Sequence, residues 1–276
     1  LVSALLLAMT GAAARAQDLA PALAERFSQG VAALKADRLD EAERSFRAVL
    51  AGGGDRAFVH HNLGIALQRR GRHAAAVAEF RVAARQDPAF GPARLLAGAS
   101  LLALGRPAEA IVELDRAVAL MPRELAAHLQ LADACERAGN VPRMVAVYRT
   151  IVALAPDETE YAYRLGKAYL RLSQWSFERI QSVDPGSARL SQALGSEYLR
   201  QGRPDLARQA FEQAAARDPA IADVHVALAR ISLDEQRWED ASRAIDRALA
   251  LLPESREARA LKARIDTARG AARERP

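Results

Sequence analysis

Apolar and small side chains recur along this chain at helical spacing, in short blocks punctuated by glycine and proline. The clearest block runs from Ala57 to Phe90. There Leu63, Gly64, Leu67, Ala76, Phe80 and Ala83 mark the inner faces of two short amphipathic helices, Gly71 marks a tight turn between them, and Pro88 closes the block. Moving 34 positions on from Gly64 lands on Gly98, Leu101, Gly105, Ala110, Leu114, Ala117 and Pro122. A fixed period of this kind means one helix–turn–helix unit used repeatedly, each burying its apolar face against the next. The period reaches back to Leu23–Arg56, where Gly30, Ala42, Phe46, Val49 and Leu50 are in register and Gly52-Gly53-Gly54 replaces the closing proline. It reaches forward through Gly91–Glu124 and Leu125–Glu158, the latter keeping Leu131, Ala132, Gly139, Tyr148 and Pro156 with Met144 in an alanine position. It resumes in Ala188–Ile221 and Ala222–Ser255.

The fifth unit breaks the pattern. From Gly166 to Pro185 is 19 positions, against 24 from Gly64 to Pro88. Five residues are missing, and no glycine turn follows Leu172. Phe177 still stands eight residues before Pro185, as Phe80 does before Pro88, so the deletion took the turn and the start of the second helix. The spacing predicts one long helix from about Thr159 to Gln181, or a hinge at Ser173, interrupting the stack. A shortened hairpin that still folds back is the alternative.

These landmarks resemble the tetratricopeptide (TPR) repeat, and the resemblance covers about Leu23 to Ser255. It implies an all-α fold: a right-handed superhelical solenoid of about seven helix–turn–helix repeats plus a C-terminal capping helix, with the shortened fifth repeat dividing two lobes. The expected segments are residues 23–158, the linking stretch 159–187, residues 188–255, and a cap and tail over 256–276. In the TPR pattern Gly64, Gly98, Gly166 and Gly195 admit close approach of the paired helices, with Ala76, Ala110 and Ala207 doing the same on the second helix. Phe46, Phe80, Tyr148 and Phe211 fill the space between units.

TPR arrays bind partners along the concave surface of their first helices, which the resemblance maps to positions 2, 5, 9 and 12 of each repeat. Here those positions bring Phe27, Val31 and Leu34, then Phe58, His61, Ile65 and Gln68, then Leu95 and Leu102 to one mostly apolar face. From the fourth repeat, beginning with Leu129 and Asp133, the face becomes mixed. The expected function is a non-catalytic protein–protein interaction scaffold that takes a peptide or helix into this groove. A chaperone-tail clamp does not fit, because Asn62 is flanked by Phe27, Val31, Pro92 and Leu96 rather than by cations. The alternatives are binding of nucleic acid or an anionic surface, and service as the targeting subunit of an enzyme complex.

Charge bears on the first alternative. The net charge is +5, from 39 Lys and Arg against 34 Asp and Glu. The charges are interleaved, as at Glu113/Asp115/Arg116, which describes solvated helix faces better than a basic patch. Nucleic acid is therefore the weaker expectation.

No catalytic constellation is visible. The triple glycine lacks the GK[ST] of a phosphate loop, and there is no HExxH, nucleophile elbow or dinucleotide turn. His60, His128 and His225 share one packing slot, the fourth of their repeats, so no metal or other cofactor is expected. Cys135, the single cysteine, reads as a small buried hydrophobe. At the front, Leu1–Ala16 has the apolar run and Ala14-Arg15-Ala16 ending of a secretory signal peptide cleaved after Ala16, although it lacks the basic start. That reading predicts a periplasmic or secreted mature protein with no membrane span.

Overall fold

The structure, a computed structural model, describes residues 18–273. The candidate signal peptide therefore lies outside the described residues. Among them the regular structure is helical, and the chain divides into two compact units at Leu172/Ser173.

The first unit contains four hairpins: α1 (Pro21–Lys35) with α2 (Leu39–Ala51), α3 (Ala57–Arg69) with α4 (His73–Gln86), α5 (Gly91–Ala103) with α6 (Pro107–Leu120), and α7 (Leu125–Arg137) with α8 (Val141–Leu154). Each second helix also packs on the first helix of the next hairpin, which is the stacking a 34-residue period demands. Gly71, Gly105 and Gly139 form the hairpin turns with φ between 68° and 73°. This left-handed conformation has no steric cost without a Cβ. In the first hairpin Asp37 holds the same conformation at φ 59°.

Close helix contact comes from small residues facing rings. A Cβ on Gly30 would meet Phe46 Cε1 at 2.8 Å, and one on Gly64 would meet Phe80 Cε1 at 2.6 Å. Both rings are fully buried, as are Ala42, Ala76 and Ala110 opposite the first helices. Carboxylates add cross-repeat ties. Buried Glu43 of α2 pairs with Arg70, and with Arg72 at 2.7 Å, both of the next repeat. Buried Glu113 of α6 receives Arg81 at 3.0 Å and Arg94 at 3.2 Å. A buried carboxylate held by two guanidinium groups resists any slip of one repeat past the next.

The fifth repeat is one continuous helix, α9 (Thr159–Val183), and its first half closes the first unit. Tyr161, Leu165, Ala168 and Leu172 lay one face on the core that holds Met144, Tyr148 and Ile151. The opposite face has no second helix. The expectation that Gly166 admits a paired helix is corrected: a Cβ there would meet nothing within 4 Å. With the turn deleted, helical hydrogen bonding continues without a break to Val183, and Phe177 is exposed.

The second unit contains the rest of α9, the hairpins α10 (Ala188–Arg200) with α11 (Pro204–Arg217) and α12 (Ala222–Asp234) with α13 (Trp238–Leu251), and α14 (Arg256–Arg273). Phe211 seats on Gly195, and Gln236 takes the turn position at φ 60°. On α14, Ala258, Leu261 and Ile265 are buried against α13 while its other faces are largely charged, the form of a solenoid cap.

Candidate partner-binding surface

The first helices place the eleven groove residues expected from the sequence in two different environments. Phe27, Leu34, Phe58, His61, Ile65, Leu95 and Leu102 are buried. They do not form the open apolar face that the periodicity predicts. Their bulk explains the difference, because each reaches a neighbouring helix. Phe27 and Phe58 meet edge to face at 5.1 Å across two repeats, and His61 lies between Phe80 at 5.8 Å and Phe90 at 4.6 Å. Leu34 and Ile65 belong to the same core cluster, while Leu95 and Leu102 join the next one. Gln68 is half-buried, and its amide donates to Ser100 Oγ at 2.8 Å and to the Leu96 carbonyl at 3.3 Å. Val31, Leu129 and Asp133 remain partly accessible, with Asp133 paired to Arg137 at 2.8 Å.

A cavity of about 230 Å³ lies between α7, α8 and the part of α9 within the first unit. Met144, Tyr148 and Ala168 make its apolar wall. Glu136, Glu160, Tyr163, Arg164, Lys167 and Arg171 make its rim. Arg164 binds Glu160 at 2.7 Å, and Arg171 pairs with Glu136. Hydrogen bonds to Glu160 and then Tyr148 raise the pKa of Arg164, keeping its charge fixed at the cavity mouth. Lys167 lies 5.7 Å from the Tyr163 ring centroid. A concavity with an apolar wall and a charged, hydrogen-bonding rim suits a side chain of a bound segment better than a reaction. Position 12 of the fourth repeat is Glu136, and positions 2, 5 and 9 of the fifth are Glu160, Tyr163 and Lys167, so the repeat register puts these four on the first-helix face. That register does not mark Tyr148 or Arg171, which join the wall and the rim through packing of α8 and through the unbroken course of α9.

The histidines are tied into local hydrogen bonds. His128 and His225 bind the carbonyls of Pro122 and Pro219 at 2.9 Å and 2.8 Å through Nε2, the same contact made in two separate repeats. His60, which follows the glycine turn instead of a proline, binds Glu79 at 2.6 Å and Asp55 at 2.8 Å. No group of three or more His, Cys, Asp or Glu among the described residues is placed to hold a metal ion. No helix among them is long and apolar enough to cross a membrane.

Two family models, both described as tetratricopeptide repeat, match the chain: one over residues 101–167 and 198–265, the other over residues 27–89. No curated protein matches the sequence significantly. Among solved structures, a tetratricopeptide repeat protein from Parabacteroides merdae is similar, with a TM-score of 0.51 and 14% identity over 89% of this chain and 99% of that one. The Cut9–Hcn1 hetero-tetramer of the APC/C matches with a TM-score of 0.43 and 18% identity over 88% of this chain, which spans 42% of that one. YrrB, described as a TPR protein with an unusual peptide-binding site, matches with a TM-score of 0.38 and 16% identity over 79% of this chain and 97% of that one.

Proposed function

Because the chain belongs to the tetratricopeptide repeat family, a fold that serves generally as a non-catalytic protein–protein interaction scaffold, we propose that it holds a peptide or helix of a protein partner on the first-helix face of its first unit. The observation that carries this reading is the cavity beside Tyr148, which is lined in part by Glu136 of α7, the helix that also carries half-buried Leu129 and Asp133. A partner segment lying along α7 places an apolar side chain against Leu129, a cation near Asp133, and one side chain in the cavity. The buried residues Phe27, Phe58, Ile65 and Leu95 support this surface from beneath and do not touch the partner. The N-terminal apolar run motivates a second part of the reading, that the protein works after export, in the periplasm or outside the cell.

Affinity capture from the cell envelope tests the site. The full chain is compared with Leu129→Glu/Asp133→Lys, once circular dichroism has shown the variant to be equally helical. A partner retained by the first and lost by the second supports the proposal. A partner held equally by both places the site elsewhere. Binding that collapses between low and moderate salt, with nucleic acid in the eluate, favours the anionic-partner alternative instead.

A further inference from the structure

At about 230 Å³ the cavity between α7, α8 and the first half of α9 is too large for one aliphatic side chain to fill. An apolar cavity of about 150 Å³ already takes a benzene ring, so this one has room for a substituted ring or an indole. A leucine there would leave lining atoms without contacts. The lining suits a ring as well. Its wall includes the Met144 thioether and the Tyr148 ring, and both kinds of group make favourable contacts with an aromatic edge. Arg164, Lys167 and Arg171 follow one another at helical spacing along one side of α9 and bring three cations to the mouth. A cation over a ring face adds an attraction that an aliphatic side chain does not receive. Lys167 already makes such a contact within the chain, 5.7 Å from the Tyr163 ring centroid.

The charges at the mouth are unequal. Its two carboxylates are both matched, Glu160 by Arg164 and Glu136 by Arg171. Lys167 forms no ion pair among the described residues and is exposed, so one positive charge is left over. Arg164, held by Glu160 and by the Tyr148 hydroxyl, is fixed before anything binds.

We infer that the cavity receives one aromatic side chain of a partner peptide, and that an Asp or Glu next to that residue in the partner meets Lys167. The inference rests on the partner surface proposed above and adds the identity of the anchoring pair. A residue adjacent to the buried ring stays at the mouth, where its carboxylate makes the ion pair that Lys167 lacks within the chain. Burial of the ring supplies most of the affinity. The exposed ion pair contributes less to affinity and more to the choice of sequence.

Selection of random linear peptides displayed on phage against the full chain tests the inference. The expected consensus is Phe, Tyr or Trp beside Asp or Glu. Lys167→Glu, at an exposed position, should keep the aromatic residue and exchange its acidic neighbour for Lys or Arg. Ala168→Phe sets a ring in the cavity from within and should remove the consensus at unchanged helicity by circular dichroism. If that variant fails to fold, the charge exchange at Lys167 decides the matter alone. In fluorescence anisotropy with a selected peptide, changing its aromatic residue to Leu should weaken binding about tenfold. Changing its acid to the amide should weaken binding roughly threefold. A consensus without an aromatic residue, without an acid, or unchanged by Lys167→Glu overturns the inference, as does a selection that enriches nothing. A different consensus that Leu129→Glu/Asp133→Lys loses overturns it while leaving the partner surface in place. The aromatic–acidic consensus retained in full by that double variant supports the pocket and moves the rest of the partner off Leu129 and Asp133.

Discussion

Gly64 sits under the ring of Phe80 so closely that a methyl group added at Gly64 would stand 2.6 Å from Cε1. Real Cβ atoms do not approach so near, and the ring is enclosed with no room to move aside. Gly64→Ala should therefore destabilise the protein by about 1–3 kcal/mol. Gly166 occupies the same repeat position with nothing within 4 Å, so Gly166→Ala should not destabilise the single chain and should add about 0.5–1 kcal/mol through helix propensity. Urea unfolding of both variants checks the contrast.

Removing the other member of the pair has a larger effect. Phe80 is fully buried, and Phe80→Ala should cost about 3–5 kcal/mol. Phe177→Ala, at the equivalent position on α9, should cost less than that because the residue is already 39% exposed. Thermal unfolding at low protein concentration measures both.

The turn at Gln236 offers a stabilising change. Its φ of 60° is the conformation taken by Gly71, Gly105, Gly139 and Gly202 in the other repeats. A side chain there costs about 1 kcal/mol, so Gln236→Gly should raise stability by roughly that amount, less the flexibility glycine returns to the unfolded chain. A higher urea midpoint with unchanged slope is the expected result.

The His60 cluster gives stability a pH dependence. Burial by itself lowers the pKa of His60, but hydrogen bonds to Glu79 and Asp55 outweigh it and raise the value above 6.5. A histidine whose pKa is raised on folding contributes stability that is complete below its unfolded value and is lost as pH rises through the folded one. The melting-temperature advantage of wild type over His60→Gln should accordingly shrink as pH climbs above about 6.5. On the acid side, hydrogen bonds from Gln86 and then His60 lower the pKa of Asp55. Its contribution is present above 3.8 and is lost as pH falls through the folded value. Melting curves across both windows, with Asp55→Asn as the second variant, test the two signs.

Cys135 should behave as a packing residue. Burial pushes its thiol up to about 11, a shift that Arg143 only partly offsets. At pH 8 the thiolate fraction is about one in a thousand, so maleimide labelling of the native protein should be about 100-fold slower than of the denatured chain. Equal rates would place the thiol at the surface.

The sequence determined the helices, their pairing and their turns, because each rests on contacts within one 34-residue period. Glycine at a left-handed turn, a ring eight residues before proline and a small residue to receive that ring all repeat at fixed offsets. Legibility ended where contacts join different repeats. Periodicity assigned Phe58, His61, Ile65 and Leu95 to an exposed groove because it reports which face of a helix a residue occupies. It does not report how far the neighbouring helix reaches over that face. Side-chain bulk decided the matter, as Phe27 against Phe58 and His61 against Phe90 show. The five-residue deletion was visible in the sequence, but its consequence at Gly166 was not: whether a glycine is covered depends on a helix arriving from elsewhere, and only the tertiary structure leaves that position open.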